Sequence, residues 1–263
     1  MKISIITATW NRANTLQDAI DSVLRQMETC KGRDIEIEHV IVDGLSKDNT
    51  VEIVRKNEPR YGGALKWVSE KDGGIYDAIN KGISMATGDV VGILNSDDFY
   101  TSDMVLLKVA EAFEADQALE AVYGDIHFVK DKDLKKCTRY FSSRYFNKSL
   151  LRFGFMPAHP SFYCRRSVYL KSGLYDISLK TSSDFEMIVR LFYRDNIRAR
   201  YLNMDFVTMR AGGESTANVS SKMRVNRDIA LSLKKYGIYS NQLFQAMRYA
   251  WRIGEILYTR IKY

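Results

Sequence analysis

Proline, cysteine and histidine are scarce, three of each in 263 residues, and each scarcity removes a class of protein. Cys30, Cys137 and Cys164 form no CxxC pair. That leaves neither a disulfide framework nor a structural zinc site, and predicts reduced thiols in the cytoplasm. With so little proline and no Pro/Gly/Ser-rich stretch there is no linker, so one continuous domain is expected. No run approaches the roughly 20 apolar residues of a spanning helix. Met1–Ile6 enters a strand without the long apolar segment of a secretory leader. Hydrophobic residues at 46% and charged ones at 27% exclude a disordered chain and allow a substantial core. The net charge of +7 is local. From Ser220 onward nine basic residues face two acidic ones, so the preceding residues are neutral as a group and no general nucleic-acid surface is expected.

What is present is an alternation. Apolar strand runs at Lys2–Ala8, Ile35–Val42, Leu65–Ser69, Val90–Leu94 and Ala121–Val129 are separated by helical patterns. Those patterns are Thr15–Met27, a helix capped by Asp48 or Asn49 and running to Lys56, Ile75–Met85 and Met104–Ala115. Strands separated by helices of this length predict an α/β fold with a mostly parallel sheet and right-handed crossovers. Beyond Lys130 the rhythm breaks. An antiparallel return strand is expected over Lys136–Phe141, an irregular aromatic segment over Phe153–Pro157, an amphipathic helix over Ser182–Tyr193 and a strand over Arg200–Met209. Two helices, near Thr216–Tyr236 and Asn241–Lys262, close the chain.

The most informative stretch is Asn95-Ser96-Asp97-Asp98, directly after the buried run Val90–Leu94. It places hard oxygen ligands at the carboxyl edge of a sheet, where open α/β sheets bind ligands. Two close carboxylates repel unless a cation sits between them. Mg²⁺ is commonly held by one or two carboxylates plus substrate phosphates. The alternative is a cap for the helix that follows near Ser102-Asp103. Other strand ends carry Thr9-Trp10-Asn11-Arg12, Asp43, and Glu70 with Asp72. An aromatic face, an acid for a ribose or base edge, and a carboxylate pair together suit a nucleoside diphosphate. Taken singly, Asp43-Gly44 reads equally as a turn and Trp10 as core.

The succession SIITATWNR, HVIVDGLSKDNT, EKDGGIYDAINKGI and ATGDVVGILNSDDFY, continuing through HPSFYCRRSVY, SSDFEMIVRL and RAGGES, resembles the family-two inverting glycosyltransferases of the GT-A fold. It is nearest to bacterial enzymes of surface polysaccharides, such as the colanic-acid type. The resemblance implies a Rossmann-like, mostly parallel sheet flanked by helices, with a smaller antiparallel acceptor-side subregion. It implies a glycosyltransferase domain over 1–215, divided into a nucleotide-sugar half (1–130) and an acceptor half (131–215), with 216–263 as a helical extension. Asp43 and Asp72 would contact the nucleoside, beside Thr9, Trp10, Asn11 and Arg12. Asp97 and Asp98 fall on the DxD motif and would jointly bind Mn²⁺ or Mg²⁺; Asn95 replaces the frequent first aspartate, and Asn95, Ser96 and Asp97 would meet the donor. His159 would lie near the diphosphate or acceptor, with a packed loop histidine as the alternative. Arg210, in Arg210–Ser215, would meet the donor phosphates, with a surface arginine as the alternative. Asp184 matches the family's general base, with Ser183 where an acid is usual; its place at a helix start also suits a cap. The implied reaction moves a sugar from a UDP-sugar to a saccharide or a polyprenyl-linked glycan.

Two other readings stand beside it. A metal-dependent nucleotidyl- or phosphoryl-transferring protein would need GxxxxGK or a DxD in the first strand, and both are missing. A nucleotide-sugar- or glycan-binding module without activity would lack a base. The tail adds a stripe, Leu243, Met247, Trp251, Leu257 and Ile261 at helical spacing, accompanied by Arg248, Arg252 and Arg260. Such a helix lies on a membrane surface, here the inner face of the plasma membrane, or docks its stripe on the domain or on a second subunit as a homodimer.

Overall fold

The computed structural model describes residues 1–212 and 219–262. Four parallel strands form its first half: β1 (Lys2–Thr9), β2 (Glu36–Asp43), β3 (Leu65–Ser69) and β4 (Val90–Ile93), in spatial order β3-β2-β1-β4. β4 is buried throughout and β2 nearly so, as expected of strands with helices on both faces. The helices α1 (Leu16–Cys30), α2 (Thr50–Asn57) and α3 (Ile75–Met85) make the crossovers. α1 buries Leu16, Ala19, Ile20 and Val23, the face its periodicity marks.

Past β4 the chain makes a two-residue strand β5 (Phe99–Tyr100), helix α4 (Val105–Ala115) and the long strand β6 (Ala121–Val129). β7 (Arg139–Phe141) is the antiparallel return, shorter than the expected Lys136–Phe141. β8 (Tyr163–Arg165) and α5 (Arg166–Ser172) follow, then α6 (Ser183–Val189), which continues as a π-turn to Arg194, and β9 (Ala199–Arg210). The sheet continues β4-β8-β6-β9-β5, with β8 antiparallel to both neighbours. β8 lies across β4 because Gly92 has no side chain: a Cβ there would sit 2.2 Å from the Tyr163 ring. The Tyr163 hydroxyl then meets the Tyr100 hydroxyl at 2.8 Å, tying β5 to β8.

On β2, Glu38 accepts hydrogen bonds from Ser4 and Thr87 and pairs with Lys66 at 2.6 Å. Its neighbour His39, buried, sits between Thr7 and Tyr61.

The C-terminal helices are α7 (Val219–Lys235) and α8 (Gln242–Lys262). α7 is fastened to α6 by the buried Glu186, which accepts from Lys235 and Tyr236 and pairs with Arg190 at 3.0 Å. α8 packs against β7 and the 3-10 turn at Lys148–Phe153, and its apolar stripe contributes the edge-on contact of Trp251 with Phe155 at 6.0 Å. Apart from Phe244, which packs on Phe153, the inward side is largely polar: Thr259 accepts from the Tyr140 amide at 2.9 Å, Glu255 faces Arg139, and Gln245 is buried. No helix among the described residues is long and apolar enough to cross a membrane.

Candidate active site

The strand ends on the carboxyl edge of β1–β4 are laced together by side chains. At the end of β1, Asn11 takes φ 50, and its amide donates to Ser46 Oγ at 2.7 Å while its Oδ1 accepts from the Lys47 amide at 2.8 Å. The Arg12 amide donates to Thr50 Oγ1 at 2.8 Å. Asp43, fully buried, accepts from the Ser46 amide, the Ser46 hydroxyl and Ser69 Oγ. Its oxygens are therefore spent on shaping this loop. Thr9 is buried beside it with Oγ1 unpartnered.

Trp10 is 63% exposed. Asp72, part-buried after β3, accepts from the Gly74 amide at 2.9 Å through Oδ1. Gly44 brings these two together: a Cβ on it would lie 2.5 Å from Asp72 Oδ2 and 3.5 Å from Trp10 Cδ1. An indole face, a free carboxylate oxygen and a bare backbone thus share one wall.

At the end of β4 the two carboxylates part company. Asp98 is buried, with Oδ2 accepting from Asn95 Nδ2 at 2.9 Å and Oδ1 from the Arg210 amide at 3.1 Å. Burial above all, then the charge of Asp97, raises its carboxyl well above the usual range. Asp97 remains part-exposed, with Arg12 at 3.9 Å. The two differ in setting: Asp97 is part-exposed beside Arg12, and buried Asp98 fastens the turn. Asn95 donates to that fastening, so the amide in first position has a structural partner. Ser96 is buried.

Arg210 is nearly buried and committed. It donates to the Asp97 carbonyl, pairs with Asp18 and with Asp131 at 3.0 Å, and lies over the Phe99 ring at 5.3 Å. Its guanidinium braces the Asp97 turn, whereas Arg12 is the cation left half-exposed beside Asp97. Of the glycine-containing stretch that follows, Gly213, Glu214 and Ser215 lie outside the described residues.

Asp184 occupies the first turn of α6, where Oδ1 accepts from the Phe185 amide at 2.8 Å and from the Tyr76 hydroxyl at 3.1 Å. Tyr76 stacks on Tyr175, ring centroids 5.8 Å apart, and the Tyr175 hydroxyl meets His159 Nε2 at 2.8 Å. Burial depresses the His159 imidazole pKa, with Asp184 pulling the other way. Burial, then the Asp184 charge, keeps the Tyr76 hydroxyl protonated. Tyr76 is four residues beyond Asp72, so the first turn of α3 links the wall of Trp10, Gly44 and Asp72 to Asp184. Sequence reasoning passed over Tyr76 and Tyr175 and read Gly44 only as part of a turn, although EKDGGIYDAINKGI contains Tyr76.

No group of three or more His, Cys, Asp and Glu side chains that could hold a metal occurs among the described residues. One open carboxylate nevertheless suits a hard divalent cation whose remaining ligands come from substrate phosphates and water.

The model of "Glycosyl transferase family 2" matches residues 4–177. The chain belongs to that family. A PGL/p-HBAD biosynthesis glycosyltransferase of Mycobacterium bovis is 29% identical over 201 residues, 76% of this chain and 73% of the relative. Among solved structures, S. aureus TarS 1-349 in complex with UDP-GlcNAc superposes with a TM-score of 0.65 at 22% identity, covering 91% of this chain and 68% of that one. The chain spans 41% of the longer TarS chain. A mannosyltransferase of Pyrobaculum calidifontis in complex with GDP-Man and Mn²⁺ gives a TM-score of 0.63 at 18% identity, over 98% and 73% of the two chains. These likenesses establish the GT-A fold that the resemblance of the quoted motifs implied, and with it the mostly parallel sheet that the strand–helix alternation predicted.

Proposed function

We propose that this family-2 glycosyltransferase moves a sugar from a nucleoside-diphosphate donor, a UDP-sugar, to a hydroxyl of a saccharide or lipid-linked glycan, with inversion. The observation that carries this reading is a pair of carboxylates held in unlike settings. Asp97 opens beside a cation at the end of β4, and Asp184 is held by Tyr76 at the start of α6. Residues 1–130 would form the donor half and 131–215 the acceptor half. The nucleoside rests on the wall of Trp10, Gly44 and Asp72. Thr9 and Asn11 shape that wall from β1, and Asp43 does so indirectly by fixing the Ser46 loop. Arg12 faces the diphosphate, and Arg210, Asn95, Ser96 and Asp98 hold the turn that presents Asp97.

Asp97 is the residue that would hold Mn²⁺ or Mg²⁺, with Asp98 behind it. When bound, such an ion neutralises charge on the departing diphosphate. Asp184 accepts the proton of the acceptor hydroxyl as that oxygen attacks the anomeric carbon. The bond from that carbon to the diphosphate oxygen breaks, and its electron pair leaves with the nucleoside diphosphate. No covalent enzyme intermediate is required. Part-buried His159 fixes Tyr175, and through the stacked rings Tyr76, so Asp184 approaches the hydroxyl in one orientation.

A second reading, a nucleotide-sugar-binding module without turnover, is favoured only by Asn95 and Ser183 standing where the family usually carries acids. A panel of activated sugars separates the two. Release of free nucleoside diphosphate from one donor, abolished by chelator, is expected of the enzyme. Donor binding without release from any donor would favour the module.

A further inference from the structure

The two C-terminal helices carry the whole positive excess of the chain, and α8 is mounted with its amphipathic character reversed. It turns Gln245, Glu255 and Thr259 inward and leaves Leu243, Met247, Trp251, Leu257, Tyr258 and Ile261 outward. These outward side chains range from 51% exposed at Met247 to 87% at Ile261. They recur at helical spacing along a helix of about 30 Å, so they form one face. The docking that orients this face is specific. Phe244 packs on Phe153 at 4.8 Å, Ser240 donates to the Arg152 carbonyl, and Tyr249 donates to Asn226 on α7. The side that a globular domain ordinarily buries is held away from it.

We propose that this face is a docking surface for an anionic lipid bilayer, on which α8 lies in the headgroup plane. Charge selects this occupant. Arg252 and Arg260 on α8, and Arg227 and Lys234 on α7, are exposed. The two acids of these helices are engaged elsewhere: Glu255 with Arg139 and the Trp251 indole, Asp228 with the Thr181 hydroxyl. A second copy meeting the stripe would bring the excess cations of two copies near one another, with the acids of α7 and α8 already engaged. An anionic membrane complements both parts, since apolar and aromatic side chains enter the headgroup boundary while arginines meet lipid phosphates. The surface does not depend on the chemistry proposed for the strand ends.

The test uses the full chain in flotation with vesicles of phosphatidylglycerol and phosphatidylcholine, against phosphatidylcholine alone. The wild type is expected to float with the anionic vesicles and to be released by salt. Leu243→Ser/Leu257→Ser/Ile261→Ser is expected to weaken binding at least about tenfold. Arg252→Gln/Arg260→Gln should weaken it by about fivefold per arginine. All five side chains are exposed, so circular dichroism and melting temperature should not move. Wild type that stays with the buffer at low salt overturns the proposal. So does a wild-type dimer in sedimentation velocity that the serine variant converts to monomer.

Discussion

Gly44→Ala is the sharpest perturbation of the donor wall. Gly44 is absent from the residues with positive φ, so alanine suits its backbone and the fold should lose little or gain slightly. The added methyl would lie 2.5 Å from Asp72 Oδ2. Carbon–oxygen contacts settle near 3.3–3.6 Å, so the carboxylate must retreat by about 1 Å. It is the free end of a side chain, which makes that retreat cheap for stability. It is costly for a ligand that hydrogen-bonds to it, because a bond to a charged group is worth about 1.5–3 kcal/mol. Calorimetric titration with UDP should therefore show affinity falling about tenfold to a hundredfold, with an unchanged melting temperature. Asp72→Asn should fall in the same range. If Gly44→Ala binds UDP within twofold of wild type, Asp72 does not contact the nucleoside and the wall is misassigned.

Further substitutions probe the rest of the site. Tyr76→Phe removes one hydrogen bond to Asp184 and should lower kcat by about tenfold while leaving the donor KM unchanged; a rise in KM alone would contradict its role as a positioning residue. Arg210→Ala breaks a nearly buried network and should reduce urea stability by about 3 kcal/mol, whereas a stable protein with a higher donor KM would make Arg210 a phosphate ligand instead. Acid should weaken the fold in two windows. Burial lowers His39 to about 3, so the stability of its neutral form is complete above about 6.5 and falls by about 1.4 kcal/mol per unit below it. For Glu38, burial works against the charge, but hydrogen bonds from Lys66, Ser4 and Thr87 outweigh it and bring the carboxyl to about 2. Its contribution is present above about 4.3 and is lost as pH falls towards 2. Urea unfolding at pH 7.5 and 5 should show a smaller loss in His39→Gln than in wild type, the remainder coming from His159, which burial also depresses.

The parallel half was legible in the sequence because each of its strands is a continuous apolar run bounded by turn residues, and such runs are what a doubly covered sheet demands. β5 and β8, two and three residues long, are too short to carry a period, and α5 follows β8 without a break. Strand ends placed Trp10, Asp72 and Asp97 after β1, β3 and β4, on one edge of the sheet. They could not reveal that Asp98 turns inward, since adjacent acids look alike until Asn95 and the Arg210 amide, the latter 112 residues away, claim one of them. Tyr76 and Asp184 are 108 positions apart, so no local pattern joins them. α8 shows the converse. Periodicity revealed its stripe, but the side that docks was chosen by a polar set, Thr259 with the Tyr140 amide and Glu255 with Arg139, which hydrophobic patterning ignores.

Nucleoside diphosphate release from the best donor, followed in wild type, Asp97→Ala and Asp184→Asn with and without Mn²⁺, is the most direct test of the two-carboxylate site. Release by wild type should require the ion. Asp97→Ala should lose release together with ion dependence, and Asp184→Asn should still bind UDP yet turn over at least a hundredfold more slowly, on the order of a general base's contribution. Turnover at the wild-type rate by Asp184→Asn, or ion-dependent release persisting in Asp97→Ala, would contradict the assignment.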